Sequence, residues 1–548
     1  MKKILLIVAA CMVTSLGFAA TQANSNQSVK LVNKVYTISQ FDNTQFPDSF
    51  QSQVAPLTNQ QRVFKEFASQ GYITIVNHGV TAGVLSINGK SIDLTPYLSK
   101  GTFTLDISNF VRSGQNSLEI DGITPTSGAS LNAYVPYPTL VKGTPESVGM
   151  NPYYIDQANK MIAADVDKGK GLPGAEILVI KDGVIVDQKA FGYANEYDTQ
   201  GVQLPQANWI KLHKDTMFDL ASLTKMFATN FSLMHMEYTG QLNMTNPLQK
   251  YIPDYQFPNI TCEQIAEHSA GYAPEVLFYE EDGGGAGPQF YSQNRDKTLN
   301  LIETQVPQVY TPGTKNVYSD TDFMLMGDLI EHISNTTEDN YVLNTFYKPL
   351  NLQRITYQPL NHGISLKDIS ATALTGNIET PSQYSDFPNR RTALIWGHPQ
   401  DEKAFYSMGE VSGHAGLFGD AYDVGVLEQV VLNGGGYGDN KFFDQNTIDQ
   451  FCKPTDSDPT YGIGWRRAGD SYSMKFDYGA YASPEAISHT GFTGQIAVVD
   501  PQYNLAIVLL TNRTQSTQLS KTSFAADKYQ TTNYGDVINE VYKSILNN

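Results

Sequence analysis

Phe218-Asp-Leu-Ala-Ser-Leu-Thr-Lys-Met-Phe-Ala-Thr-Asn-Phe231 places a serine and a lysine three residues apart in an apolar segment of helical character. Residues three apart share one face of a helix, so Ser222 and Lys225 are predicted to be neighbours. A serine hydroxyl is a poor nucleophile until a base takes its proton. An amine can be that base if burial lowers its proton affinity, and apolar residues surround Lys225. A serine at a helix N-terminus also has free backbone N–H groups nearby to hold an oxyanion. Alone, the spacing is equally that of a capping serine beside a surface lysine. It occurs only here in the chain.

Outward from this stretch, two further segments stand out. Tyr318-Ser-Asp320 follows the turn-forming Tyr310-Thr-Pro-Gly-Thr-Lys315, which predicts a loop ahead of a helix starting near Asp322 with Leu325, Met326 and Leu329 on its apolar face. His489-Thr-Gly491 precedes the last pair of apolar strands, and Gly491 and Gly494 allow a backbone to approach a ligand closely.

Those strands are Gln495-Ile-Ala-Val-Val-Asp500 and Leu505-Ala-Ile-Val-Leu-Leu-Thr511, with a turn at Pro501. They mirror a hairpin near residue 180, where Glu176-Ile-Leu-Val-Ile180 runs through Lys181-Asp-Gly183 into 184–190. A helix over 155–166 precedes that hairpin, and the segments between the two hairpins are mostly helix or loop. Both chain ends are therefore expected to build one antiparallel sheet flanked by helices.

Residues 30–140 read as a separate β unit. Val84-Leu-Ser-Ile-Asn-Gly-Lys90 runs into an Asn-Gly turn, Thr102-Phe-Thr-Leu-Asp-Ile-Ser108 alternates apolar and polar, and Gln115-Asn-Ser-Leu-Glu-Ile120 repeats the alternation. Short strands with turns between them suggest a β-sandwich. Their order loosely resembles the jelly-roll sugar-binding domains attached to glycosidases, which implies a glycan ligand; a spacer without a ligand is the plainer reading. A linker with Tyr137-Pro138 and Gly143-Thr-Pro145 follows, and the second unit spans 145–548.

The 548 residues are 41% hydrophobic and 17% charged, enough for more than one core. A formal net charge of −18 without a basic run argues against nucleic acid and anionic lipid as partners. Lys2 and Lys3, then apolar 4–20 with Ala20 and Ala23, read as a signal peptide over 1–23. The mature protein is thus expected to be periplasmic or secreted, without a transmembrane span. The apolar stretch before Cys11 is too short for a lipoprotein signal. Cys262 and Cys452 are either a disulfide or two buried thiols; spacing leaves both open.

Taken in order, Ser222-x-x-Lys225, Tyr318-x-Asp320 and His489-Thr-Gly491 match the three motifs of serine penicillin-recognising enzymes. Over residues 145–545 the chain resembles the class C β-lactamase and DD-peptidase group, nearest to the type-4B penicillin-binding proteins. Asp401-Glu-Lys-Ala404, Tyr406-Ser-Met-Gly409 and Val411-Ser-Gly-His-Ala-Gly-Leu-Phe418 also carry the likeness. The resemblance implies an α/β (α+β) fold of β-lactamase/transpeptidase type: an antiparallel sheet flanked by helices plus a helical subdomain, here preceded by the small jelly-roll-like β-sandwich. It implies that Ser222 forms an acyl-enzyme, that Tyr318 and Lys225 share the proton work, and that the Ser222 and Phe492 amides form the oxyanion hole. Asp320, His489, Thr490 and Gly491 would face the substrate, a peptidoglycan peptide or small ester, with neither metal nor cofactor required.

Two departures from the family pattern matter. His489 stands where β-lactamases have lysine, and a neutral imidazole offers less positive potential to a carboxylate or a phenolate, which shifts the base role toward Lys225. Asp320 stands where the motif has asparagine; a carboxylate cannot donate to a substrate carbonyl and is expected to pair with Lys225. Both suit a weak DD-carboxypeptidase or an esterase better than a β-lactamase. An idle fold retained for wall or glycan binding is the rival expectation. His414 reads as structural, His268 as a helix-end residue by a glycine cap, and 278–286 as a solvated loop or a lid.

Overall fold

The computed structural model describes residues 60–166, 171–374, 376, 387 and 389–547, with the short strands Leu31–Val32 and Phe50–Gln51. The expected signal peptide at 1–23 lies outside the described residues.

The second unit is built on the predicted sheet. Its strands run in the order Ile210–Lys211, Val184–Asn195, Gly174–Lys181, Leu505–Thr511, Gln495–Asp500, Ile487–Gly491 and Arg466–Arg467. The first and last hairpins of this unit meet at the centre, where Ile507 faces Val179 and Leu509 faces Ile177 in antiparallel register. Both faces of this sheet are covered, which is why its central strands read as continuous apolar runs rather than alternating ones. Ile177, Val179, Ile496, Val498, Ile507 and Leu509 point to a core shared with the helices Pro152–Val166 and Gly535–Leu546. Leu178, Ile180, Ala497, Val499, Val508 and Leu510 point the other way, into the larger core of the helical subdomain. The alternation is the two-residue period of a strand. Asp182 and Gly183 both have positive φ (51° and 71°), as the tight turn after Lys181 requires.

The N-terminal strands form a seven-stranded antiparallel sheet around its own core of Ile73, Ile75, Leu85, Leu105, Leu118 and Leu131. Two long strands, Tyr72–Ile87 and Gly114–Tyr134, carry it. Their shared register shifts three times between His78 and Val84, which bends the sheet over its apolar face. This sheet meets the second unit at the 181–183 turn and near 437–438: Gln70 donates to the Asp182 carbonyl (3.3 Å) and Tyr137 N–H to the Gly438 carbonyl (2.8 Å). That is the opposite end of the central sheet from the Gly491–Gln495 hairpin.

Three expectations, the start of the helix after Tyr318, the helical nucleophile segment and the 278–286 loop, need correction. The helix after Tyr318 begins at Asp320 rather than Asp322, so Asp320 occupies its first turn. The nucleophile segment is not a regular α-helix: a single tight turn at Ala221–Leu223 passes into a wide π-type turn, Lys225–Asn230, before the α-helix Phe231–Tyr238. The 278–286 stretch is not a solvated loop throughout, since Phe278 and Tyr279 are fully buried, Tyr279 against Phe387 and Tyr406. Cys262 and Cys452 are both unpaired thiols. No helix among the described residues is long and apolar enough to cross a membrane.

Candidate active site

Ser222 sits at the middle of the Ala221–Leu223 turn, held from both sides. Asp219 ties down its approach, accepting from Ala221 N–H (3.0 Å) with one carboxylate oxygen and from Gln400 N–H (2.7 Å) with the other. Ala221 takes a left-handed φ of 46°, a conformation that costs a non-glycine residue of order 1 kcal/mol and is held by these bonds. On the other side Gly491 approaches so closely that an added Cβ would lie 2.7 Å from the Leu220 carbonyl oxygen. The close approach at Gly491, expected toward a ligand, is instead between strand and nucleophile turn.

Three predicted side chains converge. Lys225 Nζ lies 3.1 Å from Ser222 Oγ, and Tyr318 OH donates to the same oxygen at 2.8 Å. Lys225 is fully buried and also donates to Asp320 Oδ1 (2.9 Å) and to the His414 carbonyl (3.0 Å). Three acceptors match the three protons of an ammonium. The electrostatics agree. Burial opposes the charge on Lys225, but Asp320 and Tyr318 outweigh it and raise its proton affinity above the ordinary lysine value. The sequence-based expectation that burial leaves this amine partly neutral is therefore corrected: Asp320 overrides burial. Burial raises the Tyr318 phenol, and the Lys225 charge only partly offsets that. Burial likewise opposes ionisation of Asp320, but Lys225, Lys403 and His414 overcome it and hold the carboxyl below the usual range. The resting state is then serine hydroxyl, phenol, ammonium and carboxylate.

His489 is buried, and burial, reinforced by the Lys225 charge, pushes its imidazole down to about 3. It is neutral at pH 7, and its Nδ1 donates to the Thr490 carbonyl (2.7 Å), which leaves Nε2 as an acceptor. Its ring stands 5.7 Å from that of Tyr318. Ser222, Tyr318, His489, Thr490 and Phe492 line one cavity of about 270 Å³. The Ser222 amide lies outside the turn bond from Leu223 N–H to the Leu220 carbonyl, and the Phe492 amide outside the bond from Gly494 N–H to the Gly491 carbonyl.

Sequence reasoning passed over several contributors. Arg466 lines the same cavity, oriented by the Thr460 carbonyl (3.2 Å) and stacked 4.0 Å over the Tyr461 ring. Nothing in its local sequence singles it out. His268 is indeed at a helix end, but it is buried, packs 4.8 Å from the Tyr318 ring and bonds Asp322 (2.8 Å). His414 is structural in its ring, between Ser412 and Asp401, yet its carbonyl holds Lys225. Asp320, Asp401 and His414 come close enough together to hold a cation, and the Lys403 ammonium lies within 3.5 Å of both carboxylates.

The beta-lactamase family model matches residues 158–530, and that span includes every residue of the convergence just described. The chain belongs to the beta-lactamase family. A relative from Salmonella agona named "Putative D-alanyl-D-alanine carboxypeptidase" is 40% identical over 430 residues, 76% of this chain and 97% of its own length. A solved penicillin-binding protein homologue from Caulobacter crescentus shares the fold with a TM-score of 0.50 at 17% identity, over 72% of this chain and 99% of its own. A simvastatin synthase variant from Aspergillus terreus does so with 0.51 at 16% identity, over 71% and 99%. This beta-lactamase-family member is a serine hydrolase related to the penicillin-binding proteins.

Proposed function

We propose that this protein is an exported D-alanyl-D-alanine carboxypeptidase that works through an acyl-enzyme on Ser222. The observation that carries the reading is the pair of hydrogen bonds, from Lys225 and from Tyr318, that converge on Ser222 Oγ.

The ammonium of Lys225 has no lone pair to accept a proton. The group that takes the Ser222 proton is therefore the Tyr318 oxygen in its ionised form, favoured by the positive charge beside it. Oγ attacks the carbonyl carbon of the penultimate D-alanine, and the oxyanion is held by the Ser222 and Phe492 amides. The Tyr318 proton then passes to the departing amine of the last D-alanine, the C–N bond breaks, and water releases the acyl group by the reverse route. Because His489 is neutral, the positive charge for a terminal carboxylate comes from Arg466, whose guanidinium suits a planar carboxylate. An esterase on small acyl substrates needs the same machinery without Arg466.

The N-terminal sheet stands at the far end of the molecule from Ser222, so its role is proposed to be attachment to glycan rather than catalysis.

Two assays test the reading together. Wild-type protein should be labelled by a fluorescent penicillin and release D-alanine from a D-Ala-D-Ala peptide, and Ser222→Ala should do neither. A Ser222→Ala protein that labels as strongly as wild type removes the acyl-enzyme. Turnover of a p-nitrophenyl ester with no release of D-alanine assigns the site to an esterase.

A further inference from the structure

The buried charges around Lys225 close on themselves. Lys225 Nζ donates to Asp320 Oδ1 (2.9 Å); Asp320 Oδ2 lies 3.5 Å from Lys403 Nζ; Lys403 Nζ lies 3.4 Å from Asp401 Oδ2. Asp401 Oδ1 accepts from His414 Nε2 (2.9 Å), and the His414 carbonyl accepts from Lys225 (3.0 Å). Five residues from four distant segments form one ring, with Ser222 Oγ hanging from it through Lys225.

We propose that Lys403 is a positioning residue of this site: by sharing Asp320 with Lys225 it limits how tightly the carboxylate holds the nucleophile's amine, and so sets the pH range in which Ser222 reacts. The inference rests on the acyl-enzyme reading of Ser222.

A carboxylate buried against a single lysine would fix that lysine as an ammonium and raise the neighbouring phenol. Here its two oxygens are divided between two fully buried ammoniums. Isolated buried charges cost several kcal/mol each, so the second lysine is retained only where it is paired on every side. It is so paired: Glu275 Oε2 (3.5 Å), Asp320 and Asp401 all face Lys403. Beyond them stand Lys225 and Tyr318 across Asp320, His414 across Asp401, and Lys521 on Glu275. Lys403 does not touch Ser222 itself and acts only through Asp320. Its placement is also built in. Asp401 accepts from Ala404 N–H (2.7 Å), which fixes the turn carrying Lys403, and Gln400 just ahead is tied to Asp219 below the nucleophile.

The sign follows from charge alone. Removing the Lys403 charge leaves Asp320 wholly to Lys225 and leaves the Asp320 charge less compensated where it faces Tyr318. Both groups then hold their protons more tightly, whichever of them serves as base. Labelling of Ser222 by a fluorophosphonate, read at intervals from pH 5.5 to 10, reports this without depending on substrate class. In Lys403→Met the rising limb should move to higher pH by about one unit, with labelling at pH 7 down about tenfold and recovered at high pH. Lys403→Arg, which keeps the charge, should restore the wild-type limb. Melting curves of both variants identify any loss of folding, and only folded protein is compared. A Lys403→Met limb at the wild-type position, whether its plateau is intact or uniformly lower, overturns the proposal. Wild-type protein that leaves Ser222 unlabelled across the whole range overturns the acyl-enzyme reading instead, and this proposal with it.

Discussion

Asp320→Asn restores the residue the family motif has, and its effect can be worked from the ion pair. Lys225 and Asp320 lie 2.9 Å apart with the lysine fully buried. At that distance two unit charges attract by about 6 kcal/mol for an effective dielectric near 20. An asparagine keeps a carbonyl acceptor for the ammonium, and a hydrogen bond to a charged group recovers about 2–3 kcal/mol. Roughly 3 kcal/mol of the preference for the charged amine is then lost, which is about two pH units. Burial, now unopposed, pushes the amine in the same direction, and Tyr318 loses the anion that raises it. Freed of Asp320, the amine can lose its proton and take that of Ser222 in place of Tyr318, so the limb of the acylation profile should move toward acid by about two units, with labelling of Ser222 by a fluorescent penicillin at pH 7 at least about tenfold faster. Rapid-quench labelling between pH 5 and 10 measures it. An unmoved limb, or one displaced toward alkali, refutes the assignment of Asp320 as the group that keeps the amine charged.

Two further outcomes follow from packing and burial. Gly491→Ala places a methyl 2.7 Å from the Leu220 carbonyl, so the strand must draw back from the nucleophile turn; a loss of about 1–3 kcal/mol in denaturant melts and about a tenfold drop in acylation are expected. Burial pushes Glu338 up to about 8 while its Thr229 bond pulls the other way; in the unfolded chain its carboxyl titrates near 4.5. Between those values the unfolded chain releases a proton that the folded one keeps, so stability falls as pH rises through that window, by about 3 kcal/mol at pH 7. Glu338→Gln removes this dependence, so its advantage in thermal melting over wild type should grow from pH 5 to pH 8; a constant difference refutes it.

The central sheet was legible because both of its faces are buried: strands such as 176–180 and 505–511 are unbroken apolar runs bounded by turn residues, a pattern local sequence carries in full. The three motif residues were legible for a different reason, a fixed order that a family likeness supplies. What sequence could not carry is the field around them. The apolar setting of Lys225 suggested a neutral amine, and the amine's neighbours in sequence are indeed apolar; the carboxylate that reverses the outcome lies 95 positions away. The site contacts of Arg466, Lys403 and His268 were out of reach on the same ground, since their partners are ones that only the fold brings near. The 278–286 stretch misled because glycines and acids dominate its second half, while its first half packs two aromatic side chains inward.

The two departures from the family pattern are best understood together with Arg466 and Lys403. Asparagine-to-aspartate at 320 adds a negative charge, and lysine-to-histidine at 489 removes a positive one, since the imidazole is neutral. Left there, the site would be two charges poorer than the family pattern in its attraction for anions. Lys403 offsets the first change from behind, within 3.5 Å of Asp320, but it is fully buried and offers nothing to a ligand. Arg466 lies on the cavity wall and supplies a positive charge to the cavity. The charge that tunes the nucleophile and the charge that meets a carboxylate are thus on different residues here, whereas one lysine at the position of His489 would serve both. Substitution at Arg466 should therefore weaken binding of a carboxylate-bearing peptide without moving the pH limb, and substitution at Lys403 should do the reverse.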